Sequence, residues 1–163
     1  MKQRGPGGTT PRSPPPRTLV AGVGNIFFGD DGFGVEVARR LAERELPEWV
    51  TVADYGISGM HLAYDLSDGF DRAILIDAMP RGGAPGTVYV VEPERPLIAD
   101  GGLVDAHGMQ PDVLLGMLGI LGSEAGQMLI VGCEPESSAP GIGLSGPVAA
   151  AVDDAVRKVL DLI

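Results

Sequence analysis

Four side chains combine a type suited to holding a metal with a place suited to exposing it. They are the adjacent acids Asp30 and Asp31 in GVGNIFFGDDGFG, Asp77 directly after RAILI, and His107 in the glycine-rich GGLVDAHGMQ. Each follows or lies near the end of an apolar run, where α/β sheets place their ligands. Two carboxylates and one imidazole from three loops would make an open nitrogen–oxygen site. Such a donor set suits zinc, nickel, iron or copper better than magnesium or calcium. Each residue also has a plainer reading. Asp30 or Asp31 could cap the helix that follows, and the expectation is that one caps and the other is free. Asp77 could be a turn residue before Ala-Met-Pro, and His107 a hydrogen-bonded loop histidine.

Other chemistries fit less well. Gly22-Val-Gly24 resembles the start of a dinucleotide fingerprint, but Phe27 stands where the third glycine belongs. Two aspartates at the mouth of the next helix would also repel a pyrophosphate. A nucleotide-dependent oxidoreductase is therefore the weakest of the readings. The chain has no Gly-Lys-Ser/Thr, and neither GISGM nor GLSGP completes a nucleophile elbow around Ser58 or Ser145. Cys133 ends an apolar run and reads as a small core thiol rather than a nucleophile paired with His107. His61 in GMHLAYDL reads as a packing residue that could approach the same rim.

The elements that must position these residues follow from hydrophobic pattern. Strands are expected over Thr18–Val23, Trp49–Ala53, Arg72–Ile76, Thr87–Val91 and Gln127–Val131. Helices are expected over Gly34–Leu46, Gly59–Leu66, Pro111–Leu121 and Pro147–Ile163, each with an apolar stripe. Strands apolar throughout and separated by helices imply a mostly parallel, twisted sheet of about five strands inside a three-layer α/β/α sandwich.

Composition narrows the class further. The 163 residues carry 12 Lys+Arg against 22 Asp+Glu, for a net charge of −10, which argues against a nucleic-acid partner. One cysteine excludes a disulfide framework and fits a reducing compartment, so a cytoplasmic protein without a membrane segment is expected. Residues 1–17 hold four cations, no acid and five prolines, and read as a disordered tail without a signal-peptide core. Residues 18–163 read as one domain. Setting the four tail cations aside takes the formal charge from −10 to −14, enough to make association sensitive to salt.

Five segments, in order, resemble the hydrogenase maturation protease family, the endopeptidases that process the large subunit of nickel–iron hydrogenases. They are GVGNIFFGDDGFGVEV, DYGISGMHLAYDL, ILIDAM, DAHGMQPDVLLGML and VGCEPESSAPGIGLSGPVAAAV. The resemblance spans Thr18 to Ile163 and implies the sandwich fold read above. It implies that Asp31, Asp77 and His107 form a metal site, although some members carry Glu where this chain has Asp31. It further implies removal of the C-terminal extension of a large-subunit precursor after nickel insertion. The nickel would be carried by the substrate, with zinc or cadmium able to take its place in crystals. Gly56 and Gly59 are the expected backbone contacts to the peptide, because glycine lets main chain approach closely. The alternative is a non-catalytic docking factor or metallochaperone using the same ligands. A monomer is expected, since no helix shows a surplus apolar face.

Overall fold

The computed structural model describes residues 12–92 and 126–163. His107 and the expected helix Pro111–Leu121 lie outside the described residues. Five strands form one sheet: β1 (Thr18–Val23), β2 (Val50–Gly56), β3 (Arg72–Ala78), β4 (Val88–Val91) and β5 (Gln127–Cys133). Among the described residues three α-helices accompany them: α1 (Phe33–Ala42), α2 (Gly59–Leu66) and α3 (Gly146–Leu162). The spatial order is β2-β1-β3-β5-β4, parallel except for the edge strand β4.

Side chains alternate between the faces of the sheet, as the two-residue repeat of a strand requires. Val20, Ile74, Ile76, Leu129 and Val131 pack with Phe33, Val37 and Leu41 of α1 and with the buried stripe of α3. Leu19, Ala21, Leu75, Met128 and Ile130 pack on the opposite face with Leu62 and Leu66 of α2. The result is the expected three-layer sandwich. Each fully buried aliphatic or aromatic side chain contributes about 1.5–3 kcal/mol relative to exposure. Backbone contact is closest where α1 crosses the sheet. A Cβ at Gly34 would collide with the carbonyl oxygens of Val23 and Ile76.

Several boundaries differ from expectation. Helix α1 ends at Ala42 rather than Leu46. Pro47 disfavours helical backbone at Leu46, and the Arg44 N–H turns back to the Leu41 carbonyl. β2 runs on to Gly56, because a register shift between Gly22 and Val23 lets it pair beyond Asp54. β3 and β5 each extend two residues, pairing Asp77 with Gly132 and Ala78 with Cys133. Asp77 therefore belongs to the last part of a strand rather than to the loop after it. At the start of the described chain, the Arg17 N–H donates to the Asp71 carboxylate at 2.9 Å and its guanidinium to the Gly69 carbonyl at 2.9 Å. Arg17 thus joins the folded part, one residue before the boundary set by composition. Among the described residues no helix is long and apolar enough to cross a membrane.

Candidate functional site

The chain leaves β1 toward β2 on one side, whereas β3 lies on the other. Loops that diverge from neighbouring strands open a crevice at their carboxyl ends. Asp31, in a 3-10 turn (Gly29–Gly32) after β1, and Asp77, at the end of β3, flank this crevice. Gly24 lies between them. Its φ is +131°, and a Cβ built there would collide with the Asp31 carbonyl oxygen and stand 3.7 Å from Asp77 Oδ1. Gly24→Ala is expected to cost about 2–4 kcal/mol through strain and overpacking. Urea unfolding measures this, and an unchanged midpoint would contradict the close approach.

The two carboxylates have different surroundings. Asp31 Oδ2 accepts the Asn25 N–H at 2.8 Å. Asp77 Oδ1 accepts the N–H of the next residue, Ala78, also at 2.8 Å. Burial and the neighbouring charge of Asp31 push the Asp77 carboxyl up to about 8, despite that hydrogen bond. Two carboxyl groups this close, one of them desolvated, disfavour ionising together, and a cation held between them would offset that cost. Among the described residues alone, no group of three potential ligands is assembled.

The remaining expectations resolve individually. Neither Asp30 nor Asp31 caps a helix with its side chain. Asp30 is instead a buried anchor. Its Oδ2 accepts from Glu136 N at 2.8 Å, Ser137 N at 3.0 Å and Ser145 Oγ at 2.8 Å, while Oδ1 accepts from Ser145 N at 2.7 Å. Burial opposes its ionisation, but these donors together hold its pKa below the ordinary carboxylate value. Cys133 is buried in the core, and burial with the nearby charges of Asp30 and Glu134 pushes its thiol up to about 11. His61 does not pack: it is exposed, and Nδ1 is 2.9 Å from the Ser58 hydroxyl across the first turn of α2. The contact is exposed, and neither side chain caps the backbone N–H groups of the helix start. Gly56, at φ +53°, accepts the Gly24 N–H through its carbonyl and so reaches the rim. Gly59 is buried as the first residue of α2.

Glu134 was missed altogether. Buried after β5, it accepts from the N–H groups of Arg81 at 2.8 Å and Gly82 at 3.1 Å and from the Tyr89 hydroxyl at 2.8 Å. Burial raises its pKa, yet these donors outweigh burial and hold it low. With the Met79 N–H bonded to the Cys133 carbonyl, this fixes the chain that leaves Asp77. The signal was available: an acid directly after QMLIVGC meets the same criterion that singled out Asp77.

A sandwich with a β1/β3 switch point and two opposed acids at its mouth belongs to the α/β proteins that bind ligands at the sheet's carboxyl edge. Residues 35–162 match the family described as hydrogenase maturation protease. The Hydrogenase 2 maturation protease of Escherichia coli is 34% identical over 146 residues, covering 88% of each chain. Among solved structures, the hydrogenase maturating endopeptidase HybD from Escherichia coli superposes with a TM-score of 0.72 at 32% identity. That match covers 90% of this chain and 91% of the other. Hydrogenase 2 maturation peptidase from a Thaumarchaeota archaeon gives 0.69 at 35% identity, covering 90% and 97%. The chain belongs to the hydrogenase maturation protease family, and it is an endopeptidase.

Proposed function

We propose that this endopeptidase removes the C-terminal extension of a nickel–iron hydrogenase large-subunit precursor after nickel has been inserted. The observation that carries the reading is the placement of Asp31 and Asp77 on either side of the β1/β3 crevice, in a chain of this family. The nickel belongs to the substrate. Asp31 and Asp77 supply carboxylate oxygens to it and His107 an imidazole nitrogen, a donor set that suits a borderline transition metal. Gripping the ion fixes the precursor, and Gly56 then offers main chain close to the peptide. The metal serves recognition in this account. A partnered serine or cysteine nucleophile is not required of the described residues in this account.

The test uses nickel-loaded precursor, followed by its mobility shift and by the mass of the released peptide. Asp31→Ala, Asp77→Ala and His107→Ala are expected to remain folded and to lose processing. Wild-type-like processing by all three variants would defeat the site. A wild-type protein that retains nickel yet releases no peptide would favour the docking-factor reading instead.

A further inference from the structure

Four large apolar side chains stand in solvent on two loops, the one that leads to Asp31 and the one hydrogen-bonded to it at Gly141. Ile26, Phe27 and Phe28 are 45%, 60% and 42% exposed, and Ile142 is 79% exposed. Their chain is not loosely held. The Gly29 N–H donates to the Gly141 carbonyl at 2.9 Å, the Gly141 N–H donates to the Phe27 carbonyl at 2.8 Å, and Phe28 bridges Gly141 in parallel. Behind them, the Asp30 carboxylate ties down Glu136, Ser137 and Ser145. Ile26 and Ile142 also floor a groove of about 460 Å³ that continues between α1 and α3 past Val35 and Leu144. The groove's cationic rim is neutralised from within, since Arg39 pairs with Glu36 and Glu43, and Arg40 with Glu36 and Asp153.

Exposed apolar side chains on firmly held loops do nothing for the fold, and contiguous ones mark a contact surface. We propose that Ile26, Phe27, Phe28 and Ile142 form the docking surface for an apolar segment of the large-subunit precursor. The occupant follows from continuity with the candidate site: Ile26 to Asp31 is one uninterrupted loop, and Gly29 and Gly32 of that loop line both the groove and the turn holding Asp31. An endopeptidase acts on a polypeptide, and a chain presented at Asp31 would meet the apolar side chains that share its loop. With the rim arginines already paired, the groove selects apolar rather than acidic sequence. This inference rests on the processing reading above and extends it to how the client is held.

The test is the double variant Phe27→Ser/Ile142→Ser in the full chain, with purified nickel-loaded precursor as the probe. Both positions are exposed, so the melting temperature is expected to stay within a few degrees of wild type. The precursor concentration at half-maximal rate is expected to rise by about tenfold or more, with little change in the rate at saturation. The dissociation constant, compared between Asp77→Asn and Asp77→Asn/Phe27→Ser/Ile142→Ser so that the lost nickel contact is common to both, is expected to rise in parallel. Unchanged half-saturation and unchanged binding alongside normal wild-type cleavage would overturn the docking surface and leave the processing reading standing. Wild-type protein that neither binds nor cuts the precursor would overturn both. Sedimentation of wild-type and double-variant protein covers the remaining occupant: a self-associated form that only the double variant abolishes would assign the surface to a second copy and overturn the proposal.

Discussion

Asp77→Asn is expected to make the protein more stable while ending its activity. In the folded chain the Asp77 carboxyl titrates near pH 8, raised by burial and by Asp31, against an ordinary value of 3.8. A raised carboxyl pKa favours folding fully below the unfolded value, and that contribution is lost as pH climbs through the folded value. The window therefore runs from about pH 4 to pH 8. At pH 7 wild-type folding must draw a proton onto Asp77, at a cost on the order of 2–4 kcal/mol. Asparagine escapes that cost, since it is neutral in both states and its Oδ1 can still accept the Ala78 N–H. Urea unfolding of both proteins at pH 5 and pH 8 checks this. The variant's advantage should widen with pH, and a gap that stays constant would show that Asp77 is not desolvated beside Asp31. Loss of processing by the same variant separates this carboxylate from one kept for stability.

The second large effect has the opposite sign. Asp30→Ala removes the acceptor of four hydrogen bonds and leaves the N–H groups of Glu136, Ser137 and Ser145 without their partner. Deleting one side of a buried, charge-assisted network costs about 3–5 kcal/mol. Ser145→Ala, which removes one donor and leaves the charge satisfied by backbone, should cost only about 1 kcal/mol. The pH dependence also differs from that of Asp77. The folded pKa of Asp30 is lowered, so its contribution is present above the unfolded value near 3.8 and is lost only as pH falls through the folded one. Denaturant titration at pH 7 and at pH 3 should show the variants' deficit shrinking in acid. A deficit below about 1 kcal/mol for Asp30→Ala would mean that the 136–145 segment is held by other contacts.

These two neighbouring acids also mark where sequence reading succeeds and where it stops. The spacing of Asp30 and Asp31 after an apolar run placed both at a sheet edge, and both are there. Which acid faces the crevice and which turns inward depends on donors more than a hundred residues away, at Ser137 and Ser145. Nothing local to GDDG encodes those partners. Family resemblance singles out Asp31, and the structure shows Asp30 buried on its own hydrogen-bond donors. Glu134 shows the converse error: its position after β5 was readable, but its partners come from the loop at Arg81 and from Tyr89.

Periodicity and composition alone determined the sandwich and the existence of its five strands, with only β1 and α2 right to the residue, because burying apolar surface repeats every two residues in a strand and every three or four in a helix. Those signals are local, so they survive in one dimension. The tertiary structure alone decided the strand order that opens the crevice between β1 and β3, and the length of β3 that carries Asp77 to its mouth. It also decided the repulsion that sets Asp77 apart from an ordinary carboxylate. Electrostatic character depends on distances through space between residues remote in sequence, and only folding sets those distances.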